Sequence, residues 1–288
     1  MKIAVLGASG LLGSALVPKL KAFGQAATSL GRSPSCDYIC NVGDLQSIER
    51  ALNELLPDII INLVALKDVD LCEKNPNHAY MVNVKTLENV VSWIETACKS
   101  CHLIQLSTDQ VYDQAGPHLE DDVTLTNYYS FSKYAAELLA LRIPSTILRT
   151  NFFGKSNCDE RVSFTDWLYN NIINKTDIFL FNDVYFSPLS MKTLCDILSR
   201  LVSLKPLGIY NLGSRDGFSK AEFAFSFANK IKLNIYNATV TSIEDVNFMD
   251  TYRPKDMRLN VSKIEGELGI ALPTLNDEIG KVIGDYCE

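Results

Sequence analysis

The sequence predicts an α/β protein: a doubly wound parallel sheet with a smaller C-terminal lobe. Three observations predict it. Short apolar runs without polar alternation recur through the first half, as in strands buried on both faces. Helical stretches separate them at about 25–35 residues per unit, the rhythm of βαβ units. A glycine-spaced turn joins the first run to the first helix.

The elements follow in order. Residues 2–6 (KIAVL) are the first strand and Leu11 to Ala22 the first helix. Ala26 to Leu30 is a strand, Leu45 to Leu55 a helix, and Asp58 to Leu63 (DIIINL) a strand buried on both faces. Tyr80 to Lys99 reads as one long helix, His102 to Leu106 as a strand, Tyr128 to Leu141 as a helix and Thr146 to Leu148 as a strand. Crossovers between parallel strands are right-handed. After Thr150 the rhythm changes and Asn and Phe become frequent (Asn170, Asn171, Phe179, Phe181, Phe186). Alternation returns with a helix at Met191 to Leu201 and a strand at Gly208 to Leu212, and helices follow at Ser262 to Leu268 and Leu275 to Ile283. The expected organisation is a dinucleotide-binding domain over residues 1–150, joined again by 188–215, and a second lobe over 151–288.

Composition narrows the function. With 47% hydrophobic and 21% charged residues in 288, wholesale disorder is excluded. A net charge of −7 argues against nucleic-acid binding through bulk electrostatics. The eight Cys are scattered, which reads as a reduced, cytoplasmic protein. The first apolar run stops at Gly7, too short for a signal peptide, and no apolar stretch reaches the ~18 residues of a membrane helix.

The turn Gly7-Ala8-Ser9-Gly10-Leu11-Leu12-Gly13 spaces its glycines as G-x-x-G-x-x-G between strand and helix. Such glycines let a pyrophosphate approach main-chain N–H groups, and the helix N-terminus adds partial positive charge. Gly7, Ser9, Gly10, Leu11, Leu12 and Gly13 are therefore cofactor candidates. An acid that would take a ribose 2′-hydroxyl is expected near the end of the second strand. The sequence there is Ser29-Leu30-Gly31-Arg32-Ser33. Arg32 suits a 2′-phosphate, so NADP(H) is favoured over NAD(H). Asp44, followed by Leu45, either touches the adenine or caps the next helix.

Tyr129 and Lys133 form a Tyr-x-x-x-Lys pair, which a helix presents on one face. A phenol titrates near pH 10, so proton transfer at pH 7 needs help, and an adjacent ammonium favours the phenolate. The spacing is weak alone; the context strengthens it. The pair opens the helix after the strand His102 to Leu106, whose end carries Ser107-Thr108-Asp109. Ligands of open α/β sheets sit at the carboxyl ends of strands, where a hydroxyl can hold a substrate carbonyl.

These residues resemble the extended short-chain dehydrogenase/reductases that act on nucleotide sugars, and within them the dTDP-4-dehydrorhamnose reductase branch. The likeness runs over nearly the whole chain. It includes Gly7 to Gly13, Gly31-Arg32, Ile61-Asn62, Val69-Asp70 with Glu73, Asn83-Val84, Ser107-Thr108-Asp109, Tyr129 to Lys133 with Ala136-Glu137, and Leu148-Arg149-Thr150. It continues through Asp183, Ser187-Pro188, Gly208 to Asn211, Arg253-Pro254 and Leu268-Gly269-Ile270. The resemblance implies a Rossmann-like fold with a substrate-binding second lobe and hydride transfer from NADPH to a 4-keto sugar nucleotide. It implies Tyr129 as general acid, Lys133 as the group that lowers the Tyr129 pKa and holds the nicotinamide ribose, and Thr108 as the residue that orients the carbonyl. Asn62, Val64 and Ala65 would line the cofactor channel, and Lys67, Val69, Ser107, Asp109, Asn151 and Arg253 would meet the substrate. The expected partner is that nucleotide-sugar substrate, with no nucleic acid, membrane or metal, and a homodimer among the assemblies allowed.

The sequence also departs from that branch. Ala65-Leu66-Lys67 replaces its Ala-Tyr-Thr, and Asn151-Phe152-Phe153-Gly154 replaces its Ser-Trp after Arg149-Thr150. Both changes lie at substrate positions, so they bear on which sugar is bound and leave the reductase chemistry intact. Gln110 stands where related dehydratases carry a Glu, and an amide cannot take a proton at neutral pH. An epimerase of the same family, or a non-catalytic NADP-binding regulatory subunit, would carry the same Tyr and Lys. Cys98 and Cys101 lack the second ligand pair of a metal site and read as ordinary thiols. Asn83 is expected to bridge its helix to backbone near the site, and Phe152, Phe153, Phe181 and Phe186 to pack in the core.

Overall fold

A computed structural model of the chain describes residues 1–158 and 161–287. They form two compact units, 1–108 with 127–149 and 195–209, and 109–126 with 150–194 and 210–288. The expected boundary at Thr150 thus omits an excursion: 109–126 joins the second unit, and 195–209, not all of 188–215, returns to the first. The second unit is also nearly as long as the first, not a small appendage.

The first unit is built on a parallel sheet. Its elements open with β1 (Lys2–Leu6), α1 (Leu11–Ala22), β2 (Ala26–Gly31), β3 (Tyr38–Ile39), α2 (Leu45–Leu55) and β4 (Ile59–Asn62). They continue with α3 (Val69–Lys74), α4 (Pro76–Tyr80), a π-helical turn (Met81–Lys85), α5 (Thr86–Ala97), β5 (His102–Leu106), α6 (Tyr128–Ala140) and β6 (Ser145–Thr150). Strand order is β3-β2-β1-β4-β5-β6, with a later strand beyond β6 at the edge. The chain steps outward from β1 to β3, then restarts on the other side at β4. That reversal places a topological switch point at the carboxyl ends of β1 and β4, where such sheets bind ligands.

Apolar pattern explains these strands. All four residues of β4 and all five of β5 are buried, as both faces of the sheet require. Ile3, Val5, Ile59, Ile61 and Ile104 are at most 1% exposed. Helices α2 and α5 lie over one face, where Ile48, Leu52, Leu87, Val90, Trp93 and Ile94 join Leu6, Ile60 and Leu103 in one cluster. The Trp93 indole N–H is satisfied by Asn53 Oδ1 at 2.8 Å. The long helix expected from Tyr80 to Lys99 is interrupted: α4 ends at Tyr80, and the π turn widens the helix around Asn83 before α5 begins.

The second unit has short strands around an aromatic core. Its elements are β7 (Phe152–Phe153), α7 (Phe164–Asn174), β8 (Ile178–Phe181), β9 (Tyr185–Phe186) and β10 (Leu189–Ser190). Helix α8 (Met191–Leu204) and strand β11 (Gly208–Leu212), the edge strand of the main sheet, are each divided between the units. Then come β12 (Phe218–Ser219), α9 (Lys220–Lys230), β13 (Ala238–Thr241), β14 (Asp256–Met257), α10 (Ser262–Leu268) and α11 (Leu275–Val282). Phe153, Phe186, Phe223, Phe227, Leu275, Ile279 and Tyr286 share one buried cluster, with Phe181 packed against it. The expected core role holds for Phe153, Phe181 and Phe186, while Phe152 is half-buried outside this cluster.

Candidate active site

The cofactor end of the first unit is set by three glycines. Gly7 has φ +76°, and a Cβ there would stand 3.1 Å from the backbone of Leu63 and Val64, the loop after β4. The turns after β1 and β4 are therefore in van der Waals contact. At Gly13 a Cβ would lie 2.6 Å from the Ala8 backbone, which no relaxation of a flexible side chain can relieve. Helix α1 opens from Gly10 with no side-chain cap and no acid in its first turn. No cap or carboxylate competes there with an anion for the helix's partial positive charge, so the turn fits a dinucleotide's diphosphate. Ser9 is exposed and Leu11 half-buried, whereas Leu12 is a core residue that offers only its backbone N–H.

At the end of β2, Arg32 is exposed and has no hydrogen bond or ion pair among the described residues. The nearest acid in sequence, Asp37, is committed elsewhere. Its carboxylate accepts from Ser29 N at 2.9 Å, Ser29 Oγ at 2.8 Å and Lys21 Nζ at 3.0 Å. Those bonds, led by the Ser29 amide, hold its pKa down to about 2. Of the two roles open to Asp44, the structure shows the cap: its carboxylate accepts from Ser47 N at 2.7 Å at the start of α2, beside an exposed Leu45.

Asn62 ends β4 almost fully buried. It donates to Gln105 Oε1 at 2.8 Å and accepts from Val64 N at 3.1 Å, so it shapes the loop that carries Val64 and Ala65. Asn83 holds the next stretch of that loop. It accepts from Leu66 N at 2.7 Å and donates to Leu66 O at 3.1 Å and Ser132 Oγ at 2.9 Å. The expected bridge from helix to backbone is thus present, and the π turn is what brings Asn83 to it. Lys67 is exposed, and Val69 is buried at the start of α3.

Helix α6 is started by Asn127, whose side chain accepts from Ser130 N at 2.9 Å while Ser130 Oγ accepts from Asn127 N at 3.3 Å. This box places Tyr129 in the first turn and Lys133 one turn later. Both are buried, at 7% and 3% exposure. The Lys133 ammonium donates to Leu106 O at 2.7 Å, the last carbonyl of β5 and two residues before the buried Thr108. Burial lowers the Lys133 pKa to about 8, against the opposing charge of Glu137.

Beneath this pair lies a cluster not anticipated as a unit. Arg149, on β6, pairs with Glu137, on α6, through Nε at 3.0 Å and Nη2 at 2.6 Å. Ser107 Oγ donates to the same carboxylate, so the Ser107 hydroxyl is committed inward. Both charged side chains are at most 1% exposed. The signal was a charged residue inside the apolar run of β6.

In the second unit, Asp109 is buried and accepts from Asn151 Nδ2 at 2.8 Å, while Asn151 Oδ1 accepts from Phe152 N at 2.8 Å. Asn151 therefore braces Asp109. Arg253 is half-buried and donates to Thr251 O at 3.2 Å. Among the described residues no group of His, Cys, Asp or Glu could hold a metal ion, and Cys98 and Cys101 are free thiols. No described helix is long and apolar enough to cross a membrane.

Known proteins are similar to this chain in sequence and in fold. The family model described as RmlD substrate binding domain matches residues 1–287. A spore coat polysaccharide biosynthesis protein of Bacillus subtilis is 30% identical, over 93% of this chain and 92% of its own. A probable low-salt glycan biosynthesis reductase of Haloferax volcanii is 27% identical, over 96% and 95%. The crystal structure of a dTDP-4-dehydrorhamnose reductase from Bacillus anthracis in complex with NADP superposes with a TM-score of 0.88, covering 99% of this chain and 100% of that one at 21% identity. With the glycine turn, the switch point and the buried Tyr129 and Lys133 in place, the chain belongs to the RmlD substrate binding domain family and is an oxidoreductase of the extended short-chain dehydrogenase/reductase type.

Proposed function

We propose that this protein reduces the 4-keto group of a nucleotide-activated deoxy sugar, using NADPH in preference to NADH, in the making of a glycan or polysaccharide. The observation that carries the proposal is the buried pair on α6, with the Lys133 ammonium fixed to the last carbonyl of β5. A bound nicotinamide dinucleotide supplies the hydride. The glycine turn and the start of α1 hold its diphosphate, and Arg32 its 2′-phosphate. Asp44 and Leu45 at the head of α2, and Val64 and Ala65 on the loop shaped by Asn62, are the remaining cofactor candidates. Thr108 hydrogen-bonds the ketone oxygen and Tyr129 gives it a proton. Lys133 stabilises the phenolate left behind and binds the nicotinamide ribose. Lys67, Val69 and Arg253 stay candidates for the sugar nucleotide, whereas Ser107 and Asn151 act through the carboxylates they hold.

The reaction needs Lys133 charged. In the folded protein this lysine releases its proton near pH 8, well below its ordinary 10.5. Turnover is therefore expected to decline as pH rises through about 8, measured as a pH profile of kcat. Stability moves the other way at this site. Between about pH 8 and 10.5 the unfolded chain holds a proton that the folded chain has lost, so rising pH favours the fold there. A rate that stays flat to pH 10 would contradict the role of the ammonium.

The direct test is NADPH oxidation against dTDP-, GDP-, CDP- and UDP-linked 4-keto sugars, with NADH as control. Reduction of at least one is expected. Arg32→Ala should raise KM for NADPH by ~10-fold, the worth of one charge-assisted hydrogen bond, and leave KM for NADH unchanged. Failure to reduce any of them, together with co-purification of a large catalytic partner, would make this a regulatory subunit instead.

A further inference from the structure

The loop after β2 returns to the strand it left, and one carboxylate closes it. Asp37 Oδ2 accepts from Ser29 N at 2.9 Å and from Ser29 Oγ at 2.8 Å, while Asp37 N donates to the same hydroxyl at 2.8 Å. Lys21 Nζ, on α1, stands 3.0 Å from that carboxylate oxygen and answers its charge. Ser29 is itself a buried residue of the sheet, in register with Val5 of β1. The far end of the loop is thus tied to a rigid strand.

The residues between are bonded among themselves. Cys36 N donates to Ser33 O at 3.1 Å, the Ser33 and Ser35 hydroxyls share a bond of 2.8 Å, and Pro34 between them fixes one backbone angle. Cys36 Sγ packs against Gly31, 3.1 Å from where a Cβ there would stand, and Ser9 Oγ is 4.0 Å from the same point. Gly7 N donates to Leu30 O at 3.2 Å. The loop that carries Arg32 therefore lies against the glycine turn at one end and is held by Asp37 at the other.

An arginine on an unanchored loop would have to be ordered by the ligand it binds, and that ordering weakens binding. A loop held in advance avoids the loss. The clamp also commits the acid nearest the end of β2, which would otherwise attract a ribose 2′-hydroxyl and repel a 2′-phosphate.

We infer that Asp37 is a positioning residue for the cofactor: by closing residues 30–36 onto Ser29 it holds Arg32 beside the glycine turn, set to take a 2′-phosphate, and so carries part of the preference for NADP(H) over NAD(H). The inference deepens the proposed function and rests on its assignment of Arg32 to the 2′-phosphate.

Fluorescence titration of wild type, Asp37→Ala, Arg32→Ala and the double variant with NADPH and with NADH tests it without turnover. Asp37→Ala is expected to weaken NADPH by ~5–10-fold and leave NADH within about two-fold. The double variant should bind NADPH no more weakly than Arg32→Ala alone, because a loop without its guanidinium has nothing to position. Asp37→Asn keeps an oxygen for the Ser29 amide and hydroxyl and should bind NADPH within about three-fold of wild type. Trypsin should cut the Arg32–Ser33 bond faster in Asp37→Ala than in wild type. Equal weakening of both cofactors with a lower melting temperature would make Asp37 a general support of the fold and overturn the inference. Losses that add in the double variant, or an Asp37→Asn as weak as the alanine, would overturn it too. So would tighter NADPH binding by Asp37→Ala, which would mark the carboxylate as a repelling charge. If Arg32→Ala weakens NADPH and Asp37→Ala does not, this inference alone fails. If Arg32→Ala leaves NADPH unchanged, the 2′-phosphate assignment fails and takes this inference with it.

Discussion

Turnover of a Tyr129→Phe variant is expected to fall by ~10²–10⁴-fold, the usual worth of a positioned acid, while its affinity for NADPH stays within about two-fold. The phenyl ring keeps the packing of a side chain that is only 7% exposed, so the loss isolates the hydroxyl. The second half of the result matters as much as the first. The glycine turn and Arg32 lie on other elements, and removing one oxygen from α6 leaves them untouched. Stopped-flow measurement of NADPH oxidation at saturating substrate gives the rate, and cofactor fluorescence gives the affinity. A variant that reduces substrate at the parent rate would show that the proton comes from elsewhere.

The largest expected effect on stability is at Glu137. Glu137→Ala removes one partner of a pair buried to at most 1% exposure and leaves the Arg149 guanidinium without its carboxylate. Breaking such a pair costs about 3–5 kcal/mol. In a chain of this size that lowers Tm by roughly 10 °C, readable by thermal denaturation. Replacing both residues, as Glu137→Met with Arg149→Met, should recover most of the loss, because no stranded charge remains. If the single variant melts with the parent, the pair contributes nothing to the fold.

The strands of the first unit were legible because burial on both faces writes a plain apolar run. KIAVL, HLIQL and GIYNL fall where the pattern puts them. The break at Asn83 was not legible, since one added residue in a helical turn leaves no mark on an apolar period; only a polar side chain facing inward hints at it. In the second unit β7, β9, β10, β12 and β14 have two residues each, too few to show alternation. Helices α7 and α9 went unread although Ser163 with Asp166, and Ser219 with Glu222, spell a helix start three residues apart. For the site, spacing placed the glycine turn, Tyr129 and Lys133. It did not show that Ser107 and Asn151 turn to carboxylates. Such contacts join positions distant in the chain, and no local period encodes them.

The interleaving of the two units has a consequence for synthesis. Residues 195–209 belong to the first unit, yet they follow all of β7 to β10 in the chain. A nascent polypeptide therefore cannot finish its amino-terminal half first and then begin the rest. Neither half exists as a continuous gene fragment, and a ribosome must deliver the edge strand β11 before the sheet that starts at Lys2 is complete.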